Sequence, residues 1–139
     1  MPWPDSFSPP SKGRTMSTDE ERHDAGMKVR REVLGSEHVD RAVAATTDDT
    51  ADFQDYITRV AWGDIWSRPA LDRRARSISV LSTLMASGYW EEVPMHLRAA
   101  LRNGVTREEL REIILQVGLY AGVPVANHGF ALLQELEDS

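Results

Sequence analysis

GVTREELREIILQVGLYAGVP, residues 104–124, carries the clearest structural signal in this chain of 139 residues. Thr106 and Glu109 stand at the spacing of a capping box, in which each side chain satisfies a backbone N–H of the other at the start of a helix. Leu110, Ile113, Ile114 and Val117 then recur at the three- and four-residue intervals that place side chains on one helical face. Gly122 suits the end of that helix, and Pro124 the first turn of the next, which runs to about Glu137. Apolar residues spill beyond one face, more than a small single domain can cover, so burial against other copies of the chain is expected. Gly118, Ala121 and Gly122 are small enough to admit another helix closely.

The same grammar extends toward the N-terminus. Thr18 and Glu21 repeat the capping-box spacing before an amphipathic helix that stops at Gly35. A short helix is expected over Val39–Ala45. After Thr46-Thr47-Asp48-Asp49 a further one has Phe53, Ile57, Val60 and Ala61 on one face and ends before Pro69. Asp72 caps a helix with Ile78, Leu81, Leu84 and Met85 at core spacing before Gly88. Trp90–Asn103 forms another, closed by Gly104, with Pro94 near enough to its start to cost little. No segment alternates polar and apolar residues in the manner of a strand. The expected fold class is all-α, with a single helical domain over residues 18–139. Residues 1–17 hold four of the seven prolines and show no period, so they read as a disordered leader, with Met16 a candidate true start.

Composition removes several functions. With 16 basic against 22 acidic residues the net charge is −6, which argues against nucleic acid and against an anionic membrane surface as partners. No apolar run is long enough for a membrane span, and no secretory signal is present, so the expected compartment is the cytoplasm. The absence of cysteine excludes disulfides, thiolate metal sites and thiol-based peroxidase chemistry. Fourteen of the 16 basic residues are arginines. Arginine grips carboxylates through a planar fork, although a GC-rich genome would leave the same bias.

No two histidines share a helical face, so no metal is expected. Phosphate-loop, dinucleotide and nucleophile-elbow patterns are missing too, which leaves acid–base chemistry without a cofactor. His23 and His38 stand among charged residues and read as solvated. His128 reads as an interface residue or a ligand. His96 has Glu92 four residues before it, close enough on a helix to orient its ring, and is either a buried or interface histidine or a catalytic one. Arg30-Arg31 and Arg73, Arg74 and Arg76 are candidates for anion binding, against the alternative of solvated, ion-paired faces.

Taken together, Ala25-Gly26-Met27, Val29-Arg30-Arg31-Glu32-Val33-Leu34-Gly35 and His38-Val39-Asp40-Arg41 resemble the N-terminal signature of the 4-carboxymuconolactone decarboxylases. The likeness continues through Ala61-Trp62-Gly63-Asp64-Ile65-Trp66, Arg68-Pro69, Arg74, Arg76 and Ser77, Glu91-Glu92, His96-Leu97-Arg98-Ala99-Ala100, Asn103-Gly104-Val105-Thr106 and Tyr120-Ala121-Gly122-Val123-Pro124. It covers roughly residues 20–136.

The resemblance implies an alkylhydroperoxidase D-like helical subunit assembled into a homo-oligomeric ring, a hexamer. Peroxidase-type relatives carry a Glu, Cys-x-x-Cys, His pattern. With His96 on that histidine, the cysteine positions fall at Tyr89 and Glu92 and the glutamate near Ser77, so the thiol pattern is lost. The implied reaction is decarboxylation of 4-carboxymuconolactone, a small dicarboxylate lactone, to β-ketoadipate enol-lactone in protocatechuate catabolism. The leaving carboxylate sits on the ring carbon vinylogous to the lactone carbonyl, so the electron pair can flow through the C=C bond onto the carbonyl oxygen without a cofactor. The protein must stabilise that oxyanion and protonate the carbon alpha to the carbonyl. The expected roles are His96 as general acid or oxyanion donor, Glu92 as its orienting carboxylate, and Arg76 and Arg73 as substrate anchors. Arg30, Arg31 and Tyr120 are further substrate-binding candidates, and Tyr89 a lining residue. Alternatives are a decarboxylase or isomerase of another unsaturated lactone or keto acid, or a non-catalytic helical oligomer.

Overall fold

A computed structural model describes residues 17–136. The expected leader, all but Ser17, and the last turn at Glu137 lie outside the described residues. Within them the chain is helical, with α1 (Asp19–Leu34), α2 (Ser36–Ala44), α3 (Ala51–Ile57), a π-helix (Thr58–Ile65), α4 (Arg73–Ser87), a 3-10 turn (Trp90–Glu92), α5 (Val93–Arg102), α6 (Arg107–Ala121) and α7 (Val123–Glu135). No strand occurs among the described residues.

The capping signals translate directly. Thr18 and Glu21 form a reciprocal capping box on α1, as do Thr106 and Glu109 on α6. Asp72 accepts the backbone N–H of Ala75 at 2.8 Å. Pro94 lies in the first turn of α5, where its missing N–H breaks no helical hydrogen bond. α2 begins at Ser36, three residues earlier than the pattern indicates, because Gly35 adopts φ +91° and turns the chain from one helix into the next.

The segment after Thr46 departs from its expected face. Phe53 is 61% exposed, whereas Thr58, Trp62 and Trp66 are buried. The π-helix, with an i→i+5 hydrogen bond from Trp66 N–H to the Ala61 carbonyl at 2.9 Å, widens the turns so that Thr58, Trp62 and Trp66, four residues apart, stay on one buried side, while Phe53 lies ahead of it in α3. Trp62 and Trp66 pack with ring centroids 5.1 Å apart and join Val29 and Val33 of α1 in a small core. A larger core is built from α4 to α7 around Leu81, Met85, Leu97, Leu110, Ile114 and Leu133. Gly118 does admit a close neighbour, but it is the chain's own α7: a Cβ there would come 2.5 Å from that of Ala126.

Candidate active site

The junction of α1 and α2 and the outer face of α5 enclose a cleft of about 400 Å³, within the range of roughly 300–1,000 Å³ typical of small-molecule sites. Gly35 and His38 form one wall with Glu37 and Arg41, and Met95, Arg98 and Arg102 form the other. Arg41 is paired with the exposed Glu37 at 3.2 Å. Arg98 and Arg102 make no hydrogen bond or ion pair with any described residue. The wall therefore presents more positive charge than its one carboxylate neutralises, as an anionic ligand requires.

One histidine lines this cleft and a second stands beside it. His38 is half-buried and lines it; His96, on α5, lies close enough for the His38 ring to oppose its protonation. Burial, then the proximity of His38, lowers the His96 pKa to about 4, so the ring is neutral at pH 7. The pKa of His38 is also lowered, first by burial and then by Arg41, Arg30 and Arg98, with Glu92 acting in the opposite sense. His38 is thus no solvated bystander. Its charged neighbours in sequence are what form the cleft, a relation that local pattern does not reveal.

The expected Glu92–His96 hydrogen bond is not formed. Glu92 lies in the 3-10 turn ahead of α5, where three residues per turn replace the spacing that would stack it over His96, and its charge acts on His38 instead. Arg73 is drawn to Glu32 at 2.7 Å, and Arg76 donates to the carbonyls of Leu71 and Arg68, each at 3.1 Å, tying down the loop around Pro69. Arg74 pairs with Glu109. Arg31 is bound to Asp40 at 2.7 Å. In a second hollow, near Arg68, Arg73 and Arg74, two of the three arginines are thus neutralised by carboxylates. Tyr89 is 62% and Tyr120 83% exposed, and neither lines the cleft.

Arg30 is the exception among the sequence candidates. It is only 6% exposed, and its two terminal nitrogens donate to neutral oxygens, Thr58 Oγ1 at 3.3 Å and Gln54 Oε1 at 3.1 Å. Its Nε has no partner. A buried guanidinium without a carboxylate leaves uncompensated positive charge close to His38. Among the described residues, no cluster of three or more side chains suited to a metal is present.

The profile of the carboxymuconolactone decarboxylase family matches residues 51–135. The chain is 47% identical over 118 residues to the 4-carboxymuconolactone decarboxylase of Acinetobacter baylyi (strain ATCC 33305 / BD413 / ADP1), covering 85% of this chain and 88% of that one. The chain belongs to the carboxymuconolactone decarboxylase family. The nitrosuccinic acid decarboxylase of Metarhizium robertsii (strain ARSEF 23 / ATCC MYA-3075) is 43% identical over 112 residues, 78% of each chain. A 4-carboxymuconolactone decarboxylase of Pseudomonas putida matches at 52% over 46 residues, 33% of this chain and 96% of its own. Membership of a family of carbon–carbon lyases agrees with a cleft that gathers cations and histidines. The family match begins at α3, so the α1–α2 wall of the cleft, with His38 and Arg41, lies ahead of it.

Proposed function

We propose that this chain decarboxylates 4-carboxymuconolactone to β-ketoadipate enol-lactone in the cleft between the α1–α2 junction and α5. The observation that carries the reading is the convergence of Arg41, Arg98 and Arg102 on one small cleft that holds a single carboxylate, Glu37. A dianionic lactone supplies the missing charge, and each arginine can offer two parallel hydrogen bonds to a carboxylate. Arg30 adds buried positive charge behind them. His96 serves as the neutral imidazole of the site. It stands behind the lining beside His38 and holds too few protons at pH 7 to act as an acid. No electron sink beyond the substrate's own conjugated carbonyl is required.

The nitrosuccinic acid decarboxylase relative supports a second reading, in which the cleft takes another dicarboxylate whose leaving carboxylate neighbours an electron-accepting group. Turnover of freshly prepared 4-carboxymuconolactone, followed by loss of its absorbance beside nitrosuccinate in parallel, separates the two. Turnover of the lactone with the higher kcat/KM is the expected result. Turnover of nitrosuccinate alone would transfer the assignment to the second reading, and turnover of neither would leave a non-catalytic helical protein.

We further propose a homo-oligomer, with six copies following from the family resemblance. Leu115, Leu119, Tyr120 and Val123 at the α6–α7 corner are large, apolar and exposed, which suits a subunit interface. This places Tyr120 in a subunit contact. Light scattering on the purified protein tests it, and a monomer at micromolar concentration is the contrary result. Among the described residues no helix is long and apolar enough to cross a membrane; a cytoplasmic location belongs to the same proposed metabolic role.

A further inference from the structure

The reaction needs a proton after CO2 has left, and the structure offers two histidines with different access. His38 lines the cleft beside Arg41 and Arg98, whereas His96 stands next to it but is not part of the lining. The charges around His38 come from every element packed against it. They are Arg30 on α1, Glu37 and Arg41 on α2, Arg98 and Arg102 on α5 and Glu92 in the preceding turn, with His96 as the neighbouring neutral ring. Burial first, and then Arg41, Arg30 and Arg98, oppose protonation of His38. A bound dianion offsets that positive field, because its carboxylates neutralise the same arginines and place negative charge beside the ring.

We propose that His38 delivers the proton to the decarboxylated intermediate, and that the substrate's own carboxylates hold His38 in its charged form until it does. This rests on the lactone decarboxylation proposed above. In the first step the bond between the ring carbon and the leaving carboxylate breaks. CO2 departs, and the electron pair passes through the C=C bond to the lactone carbonyl oxygen, forming a dienolate. In the second step an imidazolium N–H of His38 transfers H+ to the carbon alpha to that carbonyl; the carbonyl re-forms and the ring is left neutral. Solvent returns a proton to His38 as the next substrate binds, so one proton is consumed for each CO2 released.

Two measurements on the full chain test this. In the first, the His38 ring is titrated by NMR with and without saturating succinate as a dicarboxylate probe. Its midpoint should rise by about one unit, the smaller end of what a nearby opposite charge produces. In the second, wild type, His38→Ala and His96→Ala are assayed on 4-carboxymuconolactone with and without added imidazole. His38→Ala should lose at least about 100-fold in kcat with a much smaller change in KM, as expected for loss of a general acid. Imidazole should restore part of the rate to His38→Ala and not to His96→Ala. If the alanine variant does not fold, His38→Gln takes its place, since an amide cannot donate a proton at this pH.

The proposal is overturned by a His38 variant that keeps kcat within about threefold of wild type, a change too small for loss of an acid. It is equally overturned by a midpoint that succinate leaves unmoved, or by imidazole rescue of His96→Ala instead. A wild type inactive on the lactone removes the functional reading and this proposal together; an active wild type with an active His38 variant removes this proposal alone.

Discussion

The guanidinium of Arg102 lies against Gly35 so closely that a Cβ on residue 35 would come 2.6 Å from its Nη2. That contact joins the two walls of the cleft. Gly35 has φ +91°, which bends α1 into α2 and leaves a bare backbone surface over which the Arg102 side chain passes. Gly35→Ala should therefore do two things. With φ +91° and ψ 141° the backbone strain for an L-residue is about 1–3 kcal/mol, read as a lower urea midpoint. The displaced Arg102 should raise KM more than it lowers kcat, because an anchoring contact acts on substrate and transition state alike.

Arg98→Ala should raise KM by roughly 10- to 100-fold, corresponding to loss of a charged hydrogen bond worth about 1.5–3 kcal/mol. Arg73→Ala, at a position the sequence favours as a substrate anchor where it does not single out Arg98, removes only a partly exposed ion pair with Glu32. It should change stability by no more than about 1 kcal/mol and leave KM close to wild type. Steady-state kinetics on the two variants side by side decide which arginine group meets substrate.

Acid stability should carry the signature of His96. Its native pKa of about 4 lies below the ordinary value of 6.5, so between these values the unfolded chain binds the extra proton and the folded chain does not. Stability contributed by the neutral ring is complete above pH 6.5 and is lost as pH falls through that window toward 4. The loss is on the order of 2 kcal/mol after allowance for partial exposure of the ring. Urea unfolding at about pH 7 and about pH 5 should show His96→Gln losing less than wild type between them.

Gly26→Ala should be among the most damaging single changes outside the cleft. A Cβ there would overlap the Thr58 carbonyl and come 2.9 Å from the backbone nitrogen of Gly63, so rigid main chain would have to move at the crossing of α1 and the π-helix. A loss of about 3 kcal/mol or more, well beyond the usual 0.5–3 for point changes, should appear as a collapse of the melting temperature. Arg30 crosses to Thr58 at the same place, so catalytic rate should fall with it.

What was legible locally was the helical architecture. Thr18, Asp72 and Thr106 cap helices, Gly35 and Gly88 end them, and Leu81, Leu110 and Ile114 are buried where the 3.6-residue period puts them. These depend on interactions within a few residues, which sequence spacing records directly. The catalytic family was readable in the same way, from clustered motifs. The π-helix was not: it lies where α1 crosses it, with Gly26 against Thr58 and Gly63, a tertiary contact that sequence spacing does not record. Nor was the composition of the cleft. Which arginines are quenched depends on acids distant in sequence: Glu32 takes Arg73 and Glu109 takes Arg74. No such acid reaches Arg98 or Arg102. His38 and His96 are 58 positions apart by their residue numbers, 96 − 38, and only the packing of α2 near α5 makes their protonation one problem. Chain order sets local hydrogen bonding and helical faces; Coulomb forces and burial follow distance in space, so the site's electrostatics belonged to the tertiary fold.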